Sequence, residues 1–269
     1  MNKKELKKKL SEAKQYRYYA QYAEALAILH QIVAEYPEAV YYYLLASTYY
    51  ESGESEPALQ YADAAIEVNP QYKEAYELKG LAYEKAEDYT QAEQMYLKAL
   101  EIDPDFYNVR DQLVQMYYFK EQNYEDTIKQ CNIVFSRYDS DFYKVSGRCP
   151  FFKWFLSFNL HLYNSYIQLQ RYFEAIDVIL NKKKVIDYLY NGDEDYILAD
   201  TDMILYKLYY LQKEEVGMAK IKDRYKNYYK VNDRYIQAME KDADQGYILN
   251  TNSENYDIAP NGRVILRDE

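Results

Sequence analysis

The chain of 269 residues is poor in the residue types that break, cross-link or punctuate a backbone: 7 glycines, 6 prolines, 2 cysteines, 2 histidines and 1 tryptophan. So few glycines and prolines argue against a β-sandwich or barrel, whose many tight turns need them. The two cysteines, Cys131 and Cys149, could form one disulfide but no framework of them. Cys131 falls at a small-residue position of a helical pattern, where a buried thiol is expected. No apolar run is long enough to span a bilayer, and the basic start "NKKELKKKL" is not followed by the apolar stretch of a signal peptide. A soluble, cytoplasmic chain is the expectation.

The chemistry that is missing narrows function further. His30 and His161 are far apart in sequence, and each sits within an apolar helical pattern, unlike the paired ligands of a zinc site. There is no phosphate loop, no dinucleotide-binding glycine pattern and no nucleophile elbow. The acidic "NGDEDY" at 191–196 lacks the spacing of a calcium loop and reads as a solvated turn. Carboxylates are abundant, but no pair stands out as acid and base. No catalytic residue, cofactor or metal is therefore expected, and an enzyme with a site in the C-terminal half is the least favoured reading.

Charge points the same way. The net charge is −11 and only the first few residues are basic. Such a field repels nucleic acid and anionic membranes and attracts basic partners.

What the chain does have is helix-forming composition, 37 tyrosines, and a repeat. Residues 75–104, "AYELKGLAYEKAEDYTQAEQMYLKALEIDP", overlay residues 41–70, "YYYLLASTYYESGESEPALQYADAAIEVNP", after a shift of 34 positions. A fixed period of this size marks a stacked-repeat architecture. Within the later copy, Tyr76, Gly80 and Tyr83 share one face of a helix expected from about Glu74 to Lys85. Ala92, Tyr96 and Ala99 share one face of a second, from about Thr90 to Ile102. Pro104 has no N–H to extend that helix, and it disfavours helical geometry in the residue before it. Small residues such as Gly80 and Ala92, or Ala46 and Ala58 one copy earlier, let two helices approach, while tyrosines fill the gaps beside them.

This constellation resembles the tetratricopeptide repeat family. Tyr42, Leu45, Ala46, Tyr49, Ala58, Ala62, Ala65 and Pro70 carry the match in one copy. Tyr76, Gly80, Tyr83, Ala92, Tyr96, Ala99 and Pro104 carry it in the next. The family usually has Trp at the first aromatic position, where this chain has Tyr. An upstream copy is carried by Ala13, Tyr16, Ala25, Leu29, Ile32 and Pro37. A downstream copy at 105–138 is carried by Leu113, Tyr117, Thr127, Cys131 and Val134, with one extra residue in its turn and no closing proline. The resemblance implies an all-α, right-handed solenoid of helical hairpins. Four hairpins are expected over 1–138, a loop over 139–150 with Pro150 opening the next helix, and degenerate hairpins continuing the stack over 151–243. A tail over 244–269 follows, in which "YDIAPNGRVIL" reads as two short strands around a turn.

The resemblance also implies a concave groove lined by the first helix of each hairpin. The expected lining is Lys14 and Tyr18, then Tyr43, Ser47 and Tyr50, then Glu74, Glu77, Leu81 and Glu84, then Gln115 and Tyr118. Lys7, Lys14 and Arg17 make one end basic, while Glu51, Glu74, Glu77, Glu84 and Asp111 make the rest acidic. The implied function is non-catalytic: a protein-interaction module or scaffold, binding a protein or peptide of basic character. A dedicated chaperone or immunity-type protein that sequesters one basic client is the alternative. The family's clamp for acidic C-terminal peptides needs Lys, Asn, Asn, Lys and Arg. Its positions here hold Leu10, Lys14, Leu44, Glu74 and Leu78 in one frame, and Tyr43, Ser47, Leu78, Asn108 and Gln112 in the other. Neither set makes a clamp.

Overall fold

The computed structural model describes residues 2–136, 152–190, 195–227, 233–246, 248, 256–258 and 264–266. The loop expected over 139–150, with Cys149 and Pro150, lies outside them, as do most of "NGDEDY" and the turn between the expected strands. The chain divides into two compact units, Met1–Met116 and Tyr117–Glu269.

The first unit is a run of antiparallel helices: α1 (Lys3–Tyr18), α2 (Tyr22–Glu35), α3 (Ala39–Ser52), α4 (Ser55–Val68), α5 (Lys73–Lys85), α6 (Tyr89–Ile102) and α7 (Tyr107–Gln115). Helix α1 starts where Asn2 accepts a hydrogen bond from the Glu5 N–H at 2.9 Å, satisfying one of the otherwise unpaired first-turn donors. Asp88 does the same for α6 through Gln91 N. The second helix of each pair stops before a proline. Tyr36, Asn69 and Asp103, which precede Pro37, Pro70 and Pro104, are all swung out of the helical region, with φ of −133, −141 and −133°.

The turn inside each hairpin is as regular as its proline. Ala20, Gly53, Glu87 and Gln122 occupy the left-handed region, with φ of 56, 93, 60 and 52°. Gln170 and Lys213 do so further along the second unit, to which Gln122 also belongs. The geometry closes the last turn of the helix: Gly53 N donates to the Tyr50 carbonyl and Glu54 N to that of Tyr49. Glu87 and Asp88 repeat this on Glu84 and Tyr83. Only Gly53 is a glycine, so the backbone turn recurs where the residue suited to it does not.

Each helix packs on the next, and α3 also packs on α5. Ala39, Ala65 and Ala75 meet in one buried cluster, and Ala46, Ala62 and Leu78 in another, so α4 fits against both first helices at positions without side-chain bulk. Gly80 shows how closely this is built. A Cβ there would lie 2.4 Å from the ring of Tyr96, which is fully buried. Glycine at this position is thus the seat of an aromatic ring on the opposing helix.

In the downstream copy the extra residue does not enlarge the turn. It is taken up by the π-helical segment Met116–Glu121, a usual way for a helix to absorb one insertion. The boundary between the two units falls at this segment, within the stretch expected to form the fourth hairpin.

The second unit contains α8 (Tyr124–Phe135), α9 (Phe152–Gln168), α10 (Tyr172–Tyr190), α11 (Asp195–Leu211), α12 (Glu215–Asn227) and α13 (Asp233–Asp244). Helix α9 packs on α8 and α10, and α11 on α12 and α13. Cys131 on α8 and Ala175 on α10 are fully buried. Lys207 and Asp242 form a buried ion pair at 3.2 Å that links α11 to α13. Burial lowers the pKa of Lys207, against the pull of that carboxylate. In the tail, β1 (Tyr256–Ile258) pairs antiparallel with β2 (Val264–Leu266), Asp257 opposite Ile265. The fold class is the expected one, all-α helical hairpins with a short extended tail.

These contacts set the sign of two substitutions. Gly80→Ala should destabilise the protein by about 1–3 kcal/mol through overpacking on Tyr96, even though alanine is the better helix former. Thermal melting measures it, and an unchanged midpoint would mean the ring can move aside. Glu87→Gly should instead stabilise by about 0.5–1 kcal/mol, because it relieves the left-handed backbone.

Candidate functional site

The candidate surface lies on α1, α3, α5 and α7, the first helices of the N-terminal unit. Of the expected residues, Tyr43 lies within electrostatic reach of Glu74 and Glu77, and Tyr50 of Glu84, while others are placed apart from them. Tyr43 and Tyr50 are half-buried on α3, packed by one side against the cluster of Ala46, Ala62 and Leu78. Their placement is a consequence of helical spacing: residues 43, 46 and 50 are one turn apart, so the stripe that meets α4 and α5 also carries the tyrosines. Burial is the main reason both phenols have raised pKa values, and carboxylates add to it: Glu77 foremost for Tyr43, and Glu84 for Tyr50. Tyr72, tilted against Tyr43 at 5.5 Å between ring centres, is pushed up to about 12 by burial, with Glu74 and Tyr43 adding to it. The ammonium of Lys85 lies over the Tyr50 ring, 5.2 Å from its centre.

The five carboxylates do not form an open acidic row. Glu51 is clamped by Arg17 through two hydrogen bonds, Nη2 to Oε1 at 2.5 Å and Nε to Oε2 at 3.2 Å. Glu84 accepts the Tyr96 hydroxyl at 2.8 Å. Asp111 is buried and accepts the amide of Gln115 at 2.7 Å, which leaves that exposed glutamine tied to its own helix. Glu74, half-buried on α5, accepts no hydrogen bond and makes no ion pair among the described residues.

Glu77 is the distinctive group. Its carboxylate is half-buried and is held by two neutral amides from α7, Asn108 Nδ2 and Gln112 Nε2, the latter at 3.3 Å. Both donate to the same oxygen, Oε1. Burial raises its pKa, the two amides oppose this, the charge of Glu74 adds to it, and that of Lys73, itself bonded to Asp103, opposes it least. Asn108 and Gln112 were visible in the sequence only as the wrong residues for an acidic-peptide clamp. Their separation of 31 and 35 residues from Glu77 is the signal that would have placed them beside it, as the 34 between Arg17 and Glu51 would have placed that pair.

Other expected residues fall differently. Ser47 is buried and its hydroxyl donates to the Leu44 carbonyl at 3.1 Å, so it faces the helix and not an open groove. Leu81 is half-buried one turn beyond Glu77. Lys14 is exposed and Tyr18 is 84% exposed. They border an open cleft of about 670 Å³ whose other walls are Leu10, Ala13, Arg17, Leu29, Leu44 and Glu51. Tyr118 belongs to the second unit, where its ring packs edge-on to Phe119, Tyr124 and His161. Among the described residues no three His, Cys, Asp or Glu side chains are placed to hold a metal ion, and no helix is long and apolar enough to cross a membrane.

Two of the hairpins that carry this surface form the part of the chain that comparison with known proteins recognises. Residues 43–105 match the tetratricopeptide repeat family. The matched repeat spans most of α3, all of α4 to α6, and the prolines that close them. No curated protein matches the chain. Among solved structures, the chain is similar over 90% of its length to 36% of a chain in the structure of Naa15/Naa10 bound to HypK-THB, at 12% identity and a TM-score of 0.57. That likeness is one of fold alone. The crystal structure of MamA aligns with 49% of this chain and 77% of its own at 23% identity, with a TM-score of 0.44. TTC0263, a thermophilic TPR protein of Thermus thermophilus, aligns with 71% of this chain and 94% of its own at 18% identity and 0.43.

The environment of Glu77 sets a pH dependence. Its pKa in the fold lies above the ordinary 4.5, so the folded protein holds that proton more tightly than the unfolded chain. Its contribution favours folding below pH 4.5 and is lost as pH rises through the raised value. Glu77→Gln, which mimics the protonated acid, should therefore raise the melting temperature at pH 7, and the gain should vanish below pH 4.5. Melting curves of the two proteins from pH 3.5 to pH 7 check this. A gain that persists in acid would assign the effect to packing.

Proposed function

We propose that the N-terminal unit is a protein-interaction module that binds a partner segment of basic character along α3, α5 and α7. The observation that carries this reading is the state of Glu77, a half-buried carboxylate whose hydrogen bonds come only from neutral amides, whose nearest acting cation, Lys73, is bonded to Asp103, and which is set beside half-buried tyrosines. Desolvating a carboxylate without a cation is unfavourable unless the charge is used. A lysine or arginine from a partner would supply the missing charge. The match of residues 43–105 to the tetratricopeptide repeat supports a binding role over a catalytic one.

Tyr50, Tyr43 and Leu81 would supply most of the affinity, since binding energy concentrates in a few packed anchors. Glu74 and Glu77 would mainly set partner choice and association rate. The cleft at Leu10, Lys14 and Tyr18 lies on α1 in the same unit and offers a further apolar contact.

The test is selection of a displayed random-peptide library on the full-length protein. The expected outcome is enrichment of sequences that combine Arg or Lys with aromatic or aliphatic residues. Tyr50→Ala and Leu81→Ala should each weaken the selected peptides by about tenfold or more. Glu77→Lys should slow association and flatten its salt dependence. Acidic winners, or winners indifferent to all three substitutions, would place the interface elsewhere.

A further inference from the structure

The arrangement around Glu77 says more than that a positive charge would be welcome. Both amides that hold the carboxylate, from Asn108 and Gln112, donate to Oε1. Oε2 accepts nothing from a described residue. The Gln112 amide is in turn only half satisfied: its Nε2 donates to Glu77, while its Oε1 is a buried acceptor with no donor. A buried acceptor left without a donor is costly. Two acceptors without donors thus belong to two side chains that are hydrogen-bonded to each other. The ring of Tyr43 packs against the cluster that contains Leu78, the residue next to Glu77, and the Glu77 charge acts on its phenol.

We propose that Glu77, Gln112 and Tyr43 form a recognition pocket for a single arginine side chain of the partner. This rests on the reading of the surface as a binding site for basic segments and names the anchor that the surface selects. A guanidinium carries five N–H donors in one plane, so it can bond the free oxygen of Glu77 and a second acceptor together. The Gln112 oxygen is buried as it stands, so it joins the same donor group only when the Gln112 side chain turns outward, with Asn108 still holding Oε1 of Glu77. The flat cation also lies well against a tyrosine ring. An ammonium is compact and more strongly hydrated, and it has no plane to share with the ring. Arginine is therefore selected over lysine, although both carry one charge. The cations already near the site are engaged elsewhere: Arg17 is bonded to Glu51 through two hydrogen bonds, Lys73 to Asp103, and Arg110 donates to the Pro104 carbonyl.

The experiment uses the full-length, ¹⁵N-labelled protein and two small probes, N-acetyl-arginine amide and N-acetyl-lysine amide. The side-chain amide resonances of Asn108 and Gln112 report the pocket directly. Saturable shifts with the arginine probe are expected, with the lysine probe at least about fivefold weaker. In Glu77→Gln the saturable shifts should disappear while the backbone spectrum stays that of the folded protein. Gln112→Leu, which keeps the charge and removes the second acceptor, should retain binding followed through Asn108 but lose the preference for arginine. Equal affinity for the two probes, a response that survives Glu77→Gln, or no saturable shift would each overturn the pocket. Peptide selection separates this from the broader reading. Basic peptides that depend on Tyr50 and Leu81, together with a silent arginine titration, would leave the surface and remove the pocket. A positive titration with no selected peptide would keep the pocket and remove the extended surface.

Discussion

The N-terminal unit depends on close approach of helices at positions with almost no side chain. Ala25, Ala46, Ala58, Ala62, Ala65, Ala75, Ala92 and Ala99 are all essentially fully buried. Where even a methyl group is too much, Gly80 stands under the ring of Tyr96. Small residues at a crossing bring the backbones together, and the volume beside the crossing must then be filled by something large and flat. That is the physical role of the tyrosines. The aromatic residues lie in the seams because the alanines set the spacing of the helices.

The same packing produces the surface. Tyr43 and Tyr50 bury one side against Ala46, Ala62 and Leu78, and present the other next to Glu74, Glu77 and Glu84. Anchors that are half-fixed by the core lose little conformational freedom when a partner covers them. Carboxylates next to such rings are partly desolvated, and each is answered differently. Glu51 has an arginine, Glu84 a tyrosine hydroxyl, Asp111 a glutamine, and Glu77 only amides. An acidic face made of individually satisfied groups attracts cations weakly except where satisfaction is incomplete. Among these carboxylates satisfaction is least complete at Glu77 and at Glu74.

The second unit solves a similar packing problem with more polar material. Tyr206 donates to Glu240 at 2.6 Å and Tyr210 to Asp244 at 3.2 Å, beside the buried pair of Lys207 and Asp242. These partners are separated by 34 or 35 residues, the spacing that links Arg17 to Glu51 and Glu77 to Gln112 in the first unit. The repeat period thus persists in the contacts between α11 and α13 after the small-residue signature has faded from the sequence. Taking one buried charge from such a pair would strand the other, so the pair fixes which residues of the two helices face each other.

The sequence by itself determined the helices, their hairpin pairing, the breaks before Pro37, Pro70 and Pro104, and the buried small positions. These follow from local chemistry repeated at a constant period: a helical stripe, a missing N–H, a missing Cβ. It also marked the faces of α3 and α5 that carry the aromatic and acidic residues. Tertiary structure alone decided which of those residues keep their chemistry. Ser47 sits on the expected helix but turns its hydroxyl to Leu44, and Glu51 lies on the expected face but belongs to Arg17. The amides that make Glu77 unusual come from the following first helix, and the insertion in the downstream copy became π-helix instead of a longer turn. Periodicity specifies the direction in which a side chain leaves its helix. Hydrogen-bond partners and desolvation depend on what the neighbouring helix places within about 3 Å, and only the packed structure brings that neighbour into register.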